Sequence, residues 1–162
     1  QVFEHIDNIQ QTLNELDRIL KPGGIMIHNF PCKELWNEAH FAVPFIHQIS
    51  HQKARYHLLN FYYNLGLGLH RKSKRKKEWL ENALNFIDES CYYRPEKVLL
   101  KHFSMHFDIE LINKEKKLYN LKHKKLKYQK LLYQLIRFTP DKIINIKKKY
   151  YGSVIILCKK KI

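Results

Sequence analysis

The chain has 162 residues, 44% hydrophobic and 28% charged, which is enough for one domain with a core and ordinary for a globular protein. No apolar run approaches the ~20 residues needed to span a bilayer, and no signal-peptide pattern opens the sequence, so neither a membrane span nor a secretory leader is expected. The net charge of +15 is uneven: residues 1–50 hold three Lys/Arg against six Asp/Glu, and the remainder hold 27 against nine.

Asp7 stands where a helix N-cap belongs, with Gln10 three residues on as in a capping box. Ile9, Leu13, Leu16 and Leu20 follow at helical spacing, and Lys21-Pro22-Gly23-Gly24 ends the helix. Residues 24–30 form a mostly apolar run with β-branched Ile25 and Ile27, as in a buried parallel strand that Pro31 closes. Residues 33–93 read as a helical insertion. One helix there is marked by Ala54, Leu58, Phe61, Tyr62 and Leu65 and broken by Gly66 and Gly68. A basic loop over 71–77 follows, and then a helix marked by Trp79, Leu80, Ala83, Leu84 and Ile87. Pro95 suits the first turn of a third helix, with Val98, Leu99 and Phe103 inward.

Residues 107–112 alternate with period two and predict a half-exposed strand. Residues 118–136 predict one lysine-rich amphipathic helix whose apolar stripe is Leu118, Leu121, Tyr128, Leu132 and Leu135. Thr139-Pro140-Asp141 predicts a short further turn, 153–158 a buried strand, and the lysines at 159–161 an end in solvent. Alternating helices and strands are an α/β order, and taken alone they predict a parallel sheet with right-handed crossovers. Cys32, Cys91 and Cys158 are far apart and form no CxxC, so neither a disulfide framework nor a zinc knuckle is expected, and a reducing cytoplasmic location fits best.

Val2-Phe3-Glu4-His5-Ile6, the helix after it and Leu20-Lys21-Pro22-Gly23-Gly24 together resemble the class I S-adenosylmethionine-dependent methyltransferases, and more closely the methyltransferase type 11 group. In that family a strand ends in a segment like the first, a helix ends in one like the second, and an apolar strand follows. Phe107-Asp108-Ile109-Glu110 resembles the family's sixth strand, and 153–158 its last. The resemblance covers 1–32 and 95–162. It implies an α/β fold, the C-terminal part of a Rossmann-like seven-stranded sheet, with the last strand antiparallel between the fifth and sixth. The chain is then a single partial methyltransferase domain over 1–162, with 33–94 as a helical lid. The implied cofactor is S-adenosyl-L-methionine. The family's glycine-rich cofactor turn has no counterpart among Gly23, Gly24, Gly66, Gly68 and Gly152, since Gly66-Leu67-Gly68 falls between helices. This stretch by itself is therefore expected to be an inactive fragment, binding the cofactor weakly or not at all.

The resemblance sets Gln1, Val2 and Phe3 beside the methionine and ribose of the cofactor, with Glu4 and His5 facing cofactor or substrate. His5 can serve as general base, since its ordinary pKa is near neutrality; alternatively Glu4-His5 only caps the next helix and packs the loop. Some relatives carry Glu-x-x-Glu-His here and bind a divalent metal. Gln1 replaces the first acid, and a neutral amide is a poorer ligand for a hard cation, so no metal is expected. Ligands of doubly wound sheets sit beyond strand carboxyl ends, which singles out Asn29 and Phe30 for substrate. Glu38-Ala39-His40-Phe41-Ala42-Val43-Pro44-Phe45 resembles a Glu-Pro-His-x-x-x-Pro-Phe stretch in some of this group, with Ala39 replacing Pro. Glu38 and His40 can pair or hold a polar substrate; the plainer alternative is a helix start and a packed turn. His47 and His51 share a helical spacing but lack residues to complete a tetrahedral metal set.

The expected function is transfer of a methyl group to a small-molecule, sugar- or lipid-linked hydroxyl or amine. The alternative is a non-catalytic remnant or accessory domain that binds RNA or anionic membrane through its basic half, where Tyr119, Tyr128 and Tyr133 can stack on bases or lie at a lipid surface. Nucleic acid is the less favoured partner and peripheral membrane contact stays open. A solvated helix back, with lysines accumulated by an AT-rich coding sequence, explains the same charge without any partner.

Overall fold

The computed structural model describes residues 2–123 and 128–161. A 3-10 turn at Phe3–His5 leads into α1 (Ile9–Ile19). The cap of α1 is Asn8, one residue later than the expected Asp7; its Oδ1 accepts from the Gln11 amide at 3.0 Å. Asn and Asp cap equally well, so the register is left to packing, which turns Ile9 and Leu13 into the core. The Gln10 side chain does not close a capping box but reaches Asn14 and His106. Gly23, at φ +70°, makes the turn into β1 (Ile25–Phe30).

β3 (Val154–Lys160) lies between β1 and β2 (Phe107–Leu111) and is antiparallel to both. This is the placement of the last strand that the resemblance implied. The parallel pairing predicted from helix–strand alternation does not occur among the described residues. β1 and β2 do run in the same direction, but β3 takes the hydrogen-bonding positions between them. The described sheet has three strands. β1 is not buried on both faces: Ile25 and Ile27 are 60% and 61% exposed, while Phe30 faces the core. A strand at the sheet edge with one face uncovered cannot bury alternate residues, whatever their hydropathy. The last strand also runs on through Lys159 and Lys160, and the Lys160 ammonium pairs with Asp17 at 3.5 Å.

α1 and α4 (Glu96–His106) cover the buried face of the sheet. Phe3, Ile9, Leu13, Phe30, Leu99, Phe103 and Ile156 form that core. Pro95 stands at the N-cap position of α4, one residue before the first turn in which it was expected, and Val98 is exposed, because it stands about 100° around the helix from Leu99. A second core lies between α2 (Gln52–Asn64) and α3 (Lys76–Ser90). Trp79, Leu80, Ala83, Leu84 and Ile87 are all buried there, as their spacing predicted. In α2 the inward residues are Leu59 and Tyr62, while Phe61 and Leu65 are exposed, so the expected face was rotated. The basic loop is shorter than expected, since Lys76 and Lys77 already belong to α3.

The predicted helix at 118–136 is two helices, α5 (Asn113–His123) and α6 (Gln129–Phe138), packed on each other. Residues 124–127 of that prediction lie outside the described residues. The short turn after Pro140 is a helix, α7 (Asp141–Tyr151). Buried Asn113 ties these elements together: its Oδ1 accepts from the Ile155 amide at 2.8 Å and its Nδ2 donates to Asn145 Oδ1 at 2.9 Å.

Candidate active site

The two cores meet where the chain leaves and re-enters the sheet. The Tyr92 amide donates to the Glu4 carbonyl at 2.6 Å, and the Lys33 amide to the Arg94 carbonyl at 2.9 Å. Glu34 accepts from the Glu96 amide, and Lys149 bridges both carboxylates at 3.2 and 3.3 Å. The first contact holds the insertion against the turn that carries Glu4 and His5, and the others tie its two ends to each other and to α4.

The centre of this junction is Glu38, which is wholly buried. Its loop closes through Ala42 N–H to the Glu38 carbonyl and Glu38 N–H to the Val43 carbonyl, both at 2.9 Å. Ala42 and Phe45 hold φ of +52° and +56°, left-handed conformations that non-glycine residues adopt at a cost. The carboxylate accepts from the His40 and Phe41 amides at 2.9 and 2.7 Å and from the Tyr93 hydroxyl at 2.7 Å. It also meets His40 Nδ1 at 2.7 Å. Burial works to raise the Glu38 pKa, but these hydrogen bonds overcome it and hold the group below the ordinary carboxylate value. Burial first, and then the Glu38 charge, push the Tyr93 phenol far up, so it stays a neutral donor.

His5 stands at the exposed rim. Its Nδ1 meets the Ser90 carbonyl at 2.5 Å, an acceptor that places the proton on Nδ1 and leaves the Nε2 lone pair free. The His5 and His40 rings are 5.1 Å apart, and both lie against Phe86. Glu4 is only 2% exposed, and neither carboxylate oxygen has a hydrogen-bond partner among the described residues. Neither Glu4 nor His5 caps α1, which has Asn8. Beside the cluster, a cavity of about 470 Å³ is lined by Phe41, Trp79, Asn82 and Phe86.

Glu4, His5 and His40 each offer one ligand atom within 4.8 Å of the others. Two imidazoles and a carboxylate suit a divalent ion of intermediate hardness. Glu38, His40 and Cys91 form a second group at the same spacing. Burial first, then Glu38 and Glu4, push the Cys91 thiol up to about 12, which keeps it protonated and a poor ligand. His47 and His51 have structural partners: His47 Nε2 meets the Lys33 carbonyl at 3.1 Å, and His51 Nδ1 accepts from the Ala54 amide at the start of α2.

The structure therefore gathers four of the residues singled out from sequence, Glu4, His5, Glu38 and His40. Asn29 stands on the exposed face of β1, and Val2 is exposed. Phe30 and Phe3 are buried against Phe103, so their side chains shape the core; Phe30 is paired with Val154 in the sheet and the Phe3 carbonyl accepts from the Ile6 amide. Gln1 lies outside the described residues. Tyr93, Phe86 and Ser90 were not singled out. They sit at the far end of the insertion, and no local pattern links them to Glu38.

A polar cluster at the mouth of an α/β sheet, roofed by inserted helices, is the layout of an enzyme site. Residues 1–28 match the model of a family described as a methyltransferase domain. The match supports a class I S-adenosylmethionine-dependent methyltransferase-like domain and, for the chain, a general role in methyl transfer. No curated protein and no solved structure matches the chain.

Proposed function

We propose that this chain is part of an S-adenosylmethionine-dependent methyltransferase that acts on a hydroxyl or amine of a small, sugar-linked or lipid-linked molecule. The observation that carries the reading is that the segment matching the methyltransferase family has Glu4-His5 near its start, and the fold sets that pair against Glu38 and His40. The residues present fit the cofactor at one point in particular. The buried Glu4 carboxylate has no hydrogen-bond partner among the described residues and can accept from a cationic or hydroxyl-bearing ligand. Val2, the Phe3 backbone and Glu4 would hold the cofactor here, and Gln1 is assigned the same role from sequence. Bound S-adenosylmethionine supplies an electrophilic methyl group on a sulfonium.

The chain's own residues do the rest. Glu38 fixes the His40 ring, and His40 orients the acceptor; Asn29 and Phe30 are assigned the same role from sequence alone. His5, with Nδ1 held by the Ser90 carbonyl, presents Nε2 to take the acceptor's proton as its oxygen or nitrogen is methylated. The aromatic wall of Phe41 and Phe86 excludes water and aligns the reactants, which is most of what methyl transfer needs.

Calorimetric titration of S-adenosylhomocysteine into the protein in its native reading frame tests the cofactor, and no binding would refute the reading. His5→Ala should lower kcat by about 100-fold or more with KM little changed, whereas His40→Ala should mainly raise KM. The reverse pattern would move the base to His40. Turnover should survive a chelator. Loss on chelation, with recovery on adding a divalent ion, would instead assign Glu4, His5 and His40 to a metal.

A further inference from the structure

α6 is amphipathic, but it is turned the wrong way for a core helix. The residues it sets inward are Gln129, Tyr133 and Ile136, and none of its residues is fully buried. Its apolar stripe of Leu131, Leu132, Leu135 and Phe138, continued by Tyr128 just before the helix, faces solvent, and Phe138 is 78% exposed. Lys130, Gln134 and Arg137 form the band between the stripe and the inward side, as spacing around a helix requires. α7 repeats the arrangement with exposed Ile143, Ile146 and Tyr150 beside Lys142 and Lys147.

The charge around these helices is almost all of one sign. Residues 113–150 carry 13 Lys/Arg against two Asp/Glu, and one of those acids, Asp141, is paired with Lys114 at 3.0 Å. Lys116, Lys117, Lys147 and Lys148 line a cavity of about 220 Å³ between α5 and α7. Burial, and then repulsion from Lys147 and Lys148, lower the Lys117 pKa, which is what crowding without a counter-anion does.

We propose that the α5–α7 segment docks on an anionic lipid bilayer, with the α6 stripe entering the interface and the surrounding lysines meeting headgroup phosphates. An exposed apolar stripe edged by lysine and arginine is the pattern of helices that lie in the membrane plane. Polyanions such as RNA would satisfy the lysines but leave Leu131, Leu132 and Leu135 with nothing to contact. A second copy of the chain would bring two strongly positive surfaces together. The inference rests on this surface alone and stands apart from the methyltransferase reading.

The test is co-sedimentation of the full chain with vesicles of phosphatidylcholine alone and of phosphatidylcholine mixed equally with phosphatidylserine. Binding should be at least about ten-fold tighter to the mixed vesicles and should weaken with salt. Leu135→Asp and Phe138→Asp change exposed positions, so the fold should survive, and each should weaken binding by about ten-fold or more. A Phe138→Trp reporter gives a second reading, since its emission should shift to the blue on mixed vesicles. Three results would overturn the proposal: mixed-vesicle binding untouched by both Asp variants, as a pure polyanion site gives; no reporter shift; or a lipid-free dimer that Phe138→Asp disperses.

Discussion

At Glu38 two backbone amides, a phenol and an imidazole converge on one buried carboxylate. Both amides donate to Oε2, while the Tyr93 hydroxyl and His40 Nδ1 meet Oε1; a glutamine could keep its oxygen on the two amides, but its NH2 would then face the phenol and the imidazole, which would have to turn from donors to acceptors. Glu38→Gln is therefore expected to cost about 3 kcal/mol, read as a lower urea midpoint with an unchanged slope, since hydrogen bonds to a buried charge are worth more than neutral ones. Tyr93→Phe removes a single donor and should cost about 1 kcal/mol. A Glu38→Gln protein as stable as its parent would show that the carboxylate is not what holds the loop. The Glu38–His40 pair was legible in the sequence because the two residues are two apart in a loop after an apolar strand. Tyr93 was not, because it is 55 residues from Glu38 and reaches it only when the insertion closes.

Among the elements, those with one strong periodic signal were the readable ones. The stripe from Trp79 to Ile87 named the buried face of α3 residue by residue. In α2 large apolar residues occur on nearly every side, so composition could not choose between Phe61 and Leu59, and packing against α3 decided. Gly66 and Gly68 were read as breakers, and the structure separates their roles. Gly68 has φ +106°, and an added Cβ would lie 2.5 Å from Trp79 Cζ2. The indole cannot retreat, since its Nε1 donates to the Leu69 carbonyl at 2.8 Å in the centre of the second core. Gly68→Ala should thus cost about 2–4 kcal/mol in a thermal or urea melt, combining backbone strain with overpacking. At Gly66 an added Cβ meets only the flexible end of Arg71, at 3.5 Å, so Gly66→Ala should cost about 1 kcal/mol through its φ of +81° alone. Equal losses at the two positions would mean that the Trp79 contact contributes nothing.

Over the whole molecule, the order of the strands could not come from alternation of helix and strand, because it is decided by pairing between strands far apart in the chain, Phe30 with Val154 and Phe107 with Lys160. Only the likeness to a known family implied that β3 would insert antiparallel between β1 and β2. The same long-range packing buries three titratable groups that couple stability to acidity. Burial lowers the pKa of His28, which stands between the Phe3 and Phe103 rings and whose Nε2 has no partner among the described residues. Burial also lowers that of His47, partly offset by the Glu38 charge and the Lys33 carbonyl. For both, the unfolded chain binds protons more readily than the folded one. The stability this represents is complete above the ordinary histidine value of 6.5 and is lost as pH falls through the lower folded values. Glu38 is depressed as well, so its contribution is present above the ordinary value of 4.5 and is lost in a second, more acidic decline. Urea midpoints measured from neutral pH downward should therefore fall in two stages. His28→Phe puts a ring without a titrating nitrogen among Phe3 and Phe103, and it should flatten the first stage while leaving the second. A midpoint that stays level through the histidine range, or a His28→Phe protein that declines as steeply as its parent, would show that the burial of His28 does not couple the fold to pH.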